Sequence, residues 1–320
     1  MLTYNIGNTP ATPLNNAHPG GFFFLLRGLS MKFTKPPTKF QEQIDILKSR
    51  GLIINDPTKA LQNISRINYY RLSSYYAPFQ IDRNLFKPET SIEKIFELYA
   101  FDKKIRSLIF GALEIIEVTL RTKIAYYFSH KYGPFAYSDP QYFDKNFKHF
   151  DWYTKLEESI QKSHEDFIKE FFKEYDEENI LPLWIAIEIM SFGQLSFLFK
   201  GLERTDRNNI SKDYFEIDKK ILASWIHTLV YIRNLCAHHS RIWNRTLAIK
   251  PIIPNKLSEW KDIDNSNIFC IFLIFKKLII IPGEWEIFKN NLLQLLEDYN
   301  DVDIESMGFP VDWKDRINTI

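Results

Sequence analysis

The chain has 320 residues, 45% of them apolar, enough to bury a substantial core in one large domain or two smaller ones. Lysine and arginine together number 41 against 40 aspartates and glutamates, so overall charge excludes bulk attraction to a polyanion and any nucleic-acid contact has to come from a local patch. Only two cysteines, Cys236 and Cys270, exclude a disulfide framework and a cysteine-rich zinc site; with no secretory leader in view, they point to a reducing cytoplasm.

Residues 1–30 mix Gly, Asn and Pro around a short Phe/Leu run at 22–26, and read as a poorly ordered tail or as an extension upstream of a start at Met31. Residues 31–90 read as an N-terminal helical subdomain. Within it, Phe40, Ile44 and Leu47 recur at helical spacing until Gly51 stops them. Asp56 before Pro57 marks the start of the next helix, which leads into the aromatic elbow Ile67-Asn-Tyr-Tyr-Arg-Leu-Ser-Ser-Tyr-Tyr-Ala-Pro-Phe79.

A main helical domain is expected over 91–300. It opens with a long helix at 91–130, whose apolar stripe runs through Ile95, Leu98, Phe101, Ile105, Leu108, Ala112 and Ile116. Asp102, Arg106, Glu117 and Arg121 share one sector of roughly 100° beside that stripe, each acid four residues before an arginine. Their spacing favours a solvated face laced with ion pairs; the alternative is that Glu117 and Arg121 orient a functional helix.

Gly133-Pro134 ends the long helix, and an aromatic connection leads to a charged helical pattern at 152–175. Pro182 reopens a helix that carries Trp184, Ile187 and Met190, with Gly193 near its end. A further helix starts near Lys219, and two more cover 263–281 and 284–298, parted by Pro282-Gly283. The apolar run at 268–281 falls short of the ~20 residues that span a bilayer and is interrupted by Lys276 and Lys277. Residues 301–320 form a C-terminal segment. Period-two alternation is scarce, so the fold class is all-α.

The stretch Arg233-Asn-Leu-Cys-Ala-His-His-Ser-Arg-Ile-Trp-Asn-Arg245 carries the chemistry. Projected as one ideal helix over 222–245, Leu222, Trp225, Ile226, Leu229, Ile232 and Cys236 fall on one side. His227, Asn234, His238, Arg241 and Arg245 fall on the other. No Asp or Glu occurs from 221 to 250, whereas Arg233, Arg241, Arg245 and Lys250 do, which makes a local anion-binding stripe. Arg233 lies about 140° from His238 on such a helix, so it either wraps round, sits on a distorted turn, or pairs with a carboxylate such as Glu117 to position the helix.

An imidazole moves protons near neutral pH and a guanidinium holds a phosphate. His238 with Asn234 and Arg233 or Arg241 is therefore a minimal kit for RNA cleavage by the 2′-hydroxyl, with one proton carrier left to water or to a second copy of the motif. The blander reading is a surface histidine and a buried polar network. Adjacent His238 and His239 point about 100° apart and make a poor metal pair, so neither metal nor cofactor is expected. Cys236 lies on the apolar face and reads as core.

On these residues the chain resembles the Abi-like (AbiD/AbiF) abortive-infection proteins of the HEPN superfamily. The likeness covers 31–313 and rests on four landmarks in order. They are Ile67-Asn-Tyr-Tyr-Arg-Leu-Ser-Ser-Tyr75, Leu183-Trp-Ile-Ala with Ser191-Phe-Gly193, Arg233 to Arg245, and Met307-Gly-Phe-Pro310 with Trp313. The resemblance implies a HEPN-like helical bundle with an N-terminal helical extension, and metal-independent endoribonuclease activity in phage defence. By position, Arg233, Asn234 and His238 match the catalytic motif, with Arg241, Arg245 and His239 expected to bind RNA and Glu117 and Arg121 to orient the site. The partners implied are RNA, a second copy in a homodimer, and an antitoxin RNA or protein. The alternative is a non-catalytic RNA-binding or sensing module in which Tyr69, Tyr70, Tyr75 or Tyr76 stack on bases, although core packing is expected for at least half of these.

Overall fold

A computed structural model describes residues 36–318; the tail expected at 1–30 lies outside the described residues. The elements in order are α1 (Phe40–Ser49), α2 (Pro57–Arg66), α3 (Tyr69–Ser73), the strands β1 (Gln80–Asp82) and β2 (Leu85–Phe86), and α4 (Ile92–Tyr132). There follow α5 (His149–Lys162), α6 (Asp166–Glu174), α7 (Leu183–Ile189), α8 (Phe192–Gly201), α9 (Arg204–Phe215), α10 (Lys219–Ala237), α11 (Phe269–Leu278), α12 (Glu284–Asp298) and α13 (Trp313–Asn318). Among the described residues the two strands form one small antiparallel hairpin, with Gln80 opposite Phe86 and Asp82 opposite Leu85. The chain is all-α.

The organising element is α4. Ser91 caps its start, accepting the N–H of Lys94 at 3.4 Å, and Gly133 ends it at φ +96°, a conformation that costs a glycine little. Its 41 residues rise about 60 Å, long enough to contact α7, α8, α9, α10, α11 and α12 in turn. The predicted stripe is largely buried, with Ile95, Phe101, Ile105 and Ile116 at zero exposure. Each fully buried side chain of this size contributes roughly 1.5–3 kcal/mol.

Helix α11 accounts for the apolar run near 268–281. Phe269 to Phe275 are buried without a break, so the helix is apolar all round because it is enclosed all round. Among the described residues no helix is long and apolar enough to cross a membrane.

Three sequence expectations change. The single helix predicted over 152–175 is split at 163–165, where the Ser163 hydroxyl accepts the Glu165 N–H at 3.3 Å and competes with helical pairing. The helix expected after Pro182 is also two, and Gly193 sits in the first turn of α8 rather than at a helix end. No element was predicted at 204–215, yet α9 is there. One of its inward positions is a carboxylate that a hydrophobic pattern does not register: Asp206 has zero exposure and is held by the Tyr127 hydroxyl (3.0 Å), the Tyr132 hydroxyl (2.8 Å) and Lys131, all from α4.

Both cysteines are buried, and burial pushes the Cys236 thiol up to about 12 and the Cys270 thiol still higher. A raised thiol pKa leaves less of the reactive thiolate at any given pH. At pH 8 the folded protein is expected to resist iodoacetamide at both positions and to react at both in urea, as read by peptide mass spectrometry. Modification of either in the folded chain at the rate of a free thiol would contradict this placement.

Candidate functional site

Asp218 caps α10, its carboxylate accepting the Lys220 N–H at 2.7 Å. The apolar face expected for this helix is the one it buries: Leu222, Trp225, Ile226, Leu229, Ile232 and Cys236. Trp225 stacks on Trp260 at 5.2 Å between ring centroids and donates its indole N–H to the Ile252 carbonyl at 2.9 Å. This packing turns His227, Asn234 and His238 toward solvent.

The helix ends sooner than the projection to Arg245 assumed. Ala237 is its last residue and His238 its C-cap, with the His238 N–H on the Asn234 carbonyl at 3.0 Å. His239 turns left-handed at φ +55°, its N–H reaches the Cys236 carbonyl at 3.0 Å and the Ser240 N–H reaches the Leu235 carbonyl at 2.9 Å. This is a Schellman ending with histidine where glycine is usual. The absence of glycine hid the stop. The expectation that Asn234, His238, Arg241 and Arg245 share one helical face is therefore corrected: only Asn234 and His238, one turn apart, do so.

Beyond the stop, the chain is fastened to a buried anion. Asp102 on α4 has zero exposure. One of its carboxylate oxygens accepts the N–H of Ile242 at 2.9 Å and of Trp243 at 2.7 Å. The other accepts the Tyr75 hydroxyl at 2.6 Å and pairs with Arg106, whose guanidinium also reaches the Ser240 carbonyl at 3.5 Å. Burial, then the Asp102 charge, holds the Tyr75 phenol well above its ordinary range. Ile242 and Trp243 are themselves buried, and the Trp243 indole donates to the Asp303 carbonyl at 2.8 Å.

The elbow after α2 grips the same segment. Arg71 donates to the His239 carbonyl at 2.5 Å and Arg241 to the Ser74 carbonyl at 2.6 Å. Arg245 donates to the Arg241 carbonyl at 2.6 Å. Burial and the neighbouring Arg245 lower the Arg241 pKa. Arg241 and Arg245, expected on the RNA face, thus direct donors at main-chain carbonyls. The solvated face expected for Asp102, Arg106, Glu117 and Arg121 is likewise corrected, because Asp102, Arg106 and Arg121 are buried and convergent donors and acceptors compensate their charges. Of the four tyrosines, Tyr75 and Tyr76 belong to the core, Tyr69 is half-buried, and Tyr70 is 85% exposed.

Arg233 stands apart from that lock. It is half-buried and lines a cleft of about 300 Å³ with Glu114, Glu117 and Arg121 of α4 and Glu188 of α7. Glu117 pairs with Arg121 rather than with Arg233. Arg121 also donates to the carbonyls of Ile187 and Met190, the latter at 2.6 Å, and so fixes the α7–α8 elbow to α4. Arg233 reaches Asn234 Oδ1 at 3.5 Å. Among the described residues no carboxylate forms an ion pair with it. The stripe that is free of acids in sequence is faced by acids in space, from α4 and α7. Glu114 and Glu188 carry no sequence signal that links them to Arg233, whereas Asp102 and Arg106 are legible as an i, i+4 pair.

The geometry describes an all-α protein whose polar motif sits where a central helix ends, with an exposed histidine held by a buried carboxylate lock. The family model for Abi-like protein matches residues 62–244, and the match runs from α2 through the motif to the turn beyond it. The chain belongs to this abortive-infection family. No curated protein and no solved structure gives a significant match.

Two variants test the lock. Asp102→Ala leaves Arg106 and two buried N–H groups without their acceptor, and is expected to cost about 3–5 kcal/mol in urea unfolding; a loss under 1 kcal/mol would mean that the carboxylate is dispensable. His239→Gly relieves a left-handed residue and is expected to raise stability by roughly 1 kcal/mol. A lower melting temperature for that variant would show that the His239 side chain contributes more than the turn costs.

Proposed function

We propose that the protein is a metal-independent endoribonuclease of the HEPN type that acts in phage defence and cuts RNA through its own 2′-hydroxyl. The observation that carries this reading is the state of His238. Its side chain is exposed, has no hydrogen-bond partner among the described residues, and stands one turn from exposed Asn234 on a backbone held by Asp102. Buried His149 spends a ring nitrogen on the Tyr137 carbonyl at 2.9 Å, whereas exposed His227, His238 and His239 find no such partner among the described residues, and of these three His238 is the one a turn from Asn234.

In the reaction the 2′-oxygen attacks phosphorus, the 5′-oxygen leaves, and a 2′,3′-cyclic phosphate and a 5′-hydroxyl result. His238 carries one of the two protons, Asn234 orients the phosphate, and a guanidinium stabilises the charge that develops on it. Arg233, tethered to Asn234 and faced by the acids of α4, supplies that charge by turning outward or holds the helix in place. The second proton carrier comes from His238 of a second copy, so the working unit is a homodimer. The setting is cytoplasmic, with an RNA or protein antitoxin as restraint.

A second reading, a non-catalytic RNA-binding module, draws on Tyr70, whose exposed ring adjoins Arg71 and through it the motif turn. Expression of wild type beside His238→Ala and Arg233→Ala separates the two. Wild type is expected to arrest growth and to leave RNA fragments ending in 2′,3′-cyclic phosphate, unaffected by EDTA in vitro; His238→Ala should lower the cleavage rate by about 10²–10⁴. Equal toxicity in folded variants would remove the nuclease reading, and salt-dependent RNA affinity without cleavage would favour the module.

A further inference from the structure

A second cleft, of about 620 Å³, lies between α5 and α8 and shares no lining residue with the Arg233 cleft. Its size is in the range of about 300–1,000 Å³ typical of small-molecule sites. Its residues repeat one pattern on two helices. Trp152 and Lys155 on α5, and Phe197 and Lys200 on α8, stand three apart on a helix and so face the same way, and Phe147 with Lys148 adds a third aromatic beside a lysine.

The aromatic floor is already built. Trp152 is 5% exposed and fixed by its indole N–H to the Gln194 carbonyl at 3.2 Å. Phe147 lies 5.8 Å from it, against Gly201, where a Cβ would meet the Phe147 ring at 2.6 Å, so only glycine lets the ring approach. Phe197, by contrast, is 63% exposed at the rim, an apolar ring with nothing covering it. The charge around these rings is one-sided. Asp144 is engaged by Arg207 at 3.2 Å, and Arg207 keeps a buried Nε without a partner. Among the described residues Lys148, Lys155 and Lys200 form no ion pair, and Asp151 is the one unpaired carboxylate of the lining set.

We infer that this cleft binds a nucleotide unit, with the base against Phe197 and the Phe147/Trp152 floor and the phosphate held by Lys155 and Lys200. A planar ring answers the aromatic wall and an anion answers the three free lysines; an apolar ligand would leave those charges unused, and inorganic phosphate would leave the rings bare. The site goes beyond the ribonuclease reading and does not rest on it. The unit comes either as a free nucleotide or as part of an RNA strand.

Calorimetric titration of the full chain at low salt with AMP, UMP, a hexauridylate strand and inorganic phosphate tests the assignment. Binding of a nucleotide or of the strand is expected, weakened about tenfold or more in Phe197→Ala and in Lys155→Glu/Lys200→Glu, and weakened further by added salt. Tighter binding of hexauridylate than of UMP assigns the unit to an RNA strand; equal affinity assigns it to a free nucleotide. The strand is also the substrate proposed for the motif, so binding is assigned to this cleft by its loss in the Phe197 and Lys155/Lys200 variants, which lie outside the motif, and failure of the nuclease reading leaves that loss untouched. No binding of any nucleotide or strand, inorganic phosphate binding as tightly as AMP and UMP, or unchanged affinity in the variants would each overturn the assignment.

Discussion

Asp102 is the constraint on which the motif depends. A carboxylate at zero exposure is tolerated only when donors surround it, and here the donors come from three separate parts of the chain: Tyr75 from the elbow, Arg106 from the next turn of α4, and the main-chain N–H groups of Ile242 and Trp243. Satisfying one buried charge therefore fixes the elbow, the long helix and the segment after the motif relative to one another. The exposed His238 inherits its position from this arrangement, since the chain just beyond it has no freedom to drift.

The same logic divides the arginines. Arg71, Arg106 and Arg241 direct guanidinium donors at the carbonyls of the elbow and the motif turn, and Arg121 does so at the α7–α8 elbow. The carbonyls of His239 and Ser240 lie in the turn beyond α10, outside its hydrogen-bond ladder, and the long side chains of Arg71 and Arg106 reach them. Charge in this region thus serves the backbone first. The polar side chains of the motif left exposed are Asn234, His238, His239 and Asn244, with half-buried Arg233 at their edge, so the chemistry proposed for the motif rests on few groups.

The landmarks behind the family likeness acquire physical roles in this light. The stretch at 67–75 supplies Arg71 and Tyr75 to the lock; Leu183 to Gly193 forms the elbow that Arg121 fastens to α4; and Phe309 packs on Phe269 and Trp313 at 4.9 and 5.3 Å, near the Asp303 carbonyl that receives the Trp243 indole. None of these needs to touch a substrate. The first and last bear on the segment just after α10, and the second fixes the elbow between α7, which packs on α4, and α8, which packs on α10.

The sequence by itself determined what local periodicity and composition can carry: the all-α class, the long helix ended by Gly133, the enclosed apolar run of α11, the buried face of α10 with Cys236 on it, and the outward turn of Asn234 and His238. Each follows from side-chain spacing along one element, where 3.6 residues per turn decide which groups share a face. Tertiary structure alone decided where α10 stops, because His239 takes a left-handed turn without the glycine that announces one, and the bonds that hold the turn reach back more than 130 residues to Arg71, Asp102 and Arg106. It also decided that α9 forms around the buried Asp206 and that a stretch without acids is faced by Glu114, Glu117 and Glu188. Charge balance is a property of neighbours in space, and separation along the chain says nothing of how closely two side chains come to lie.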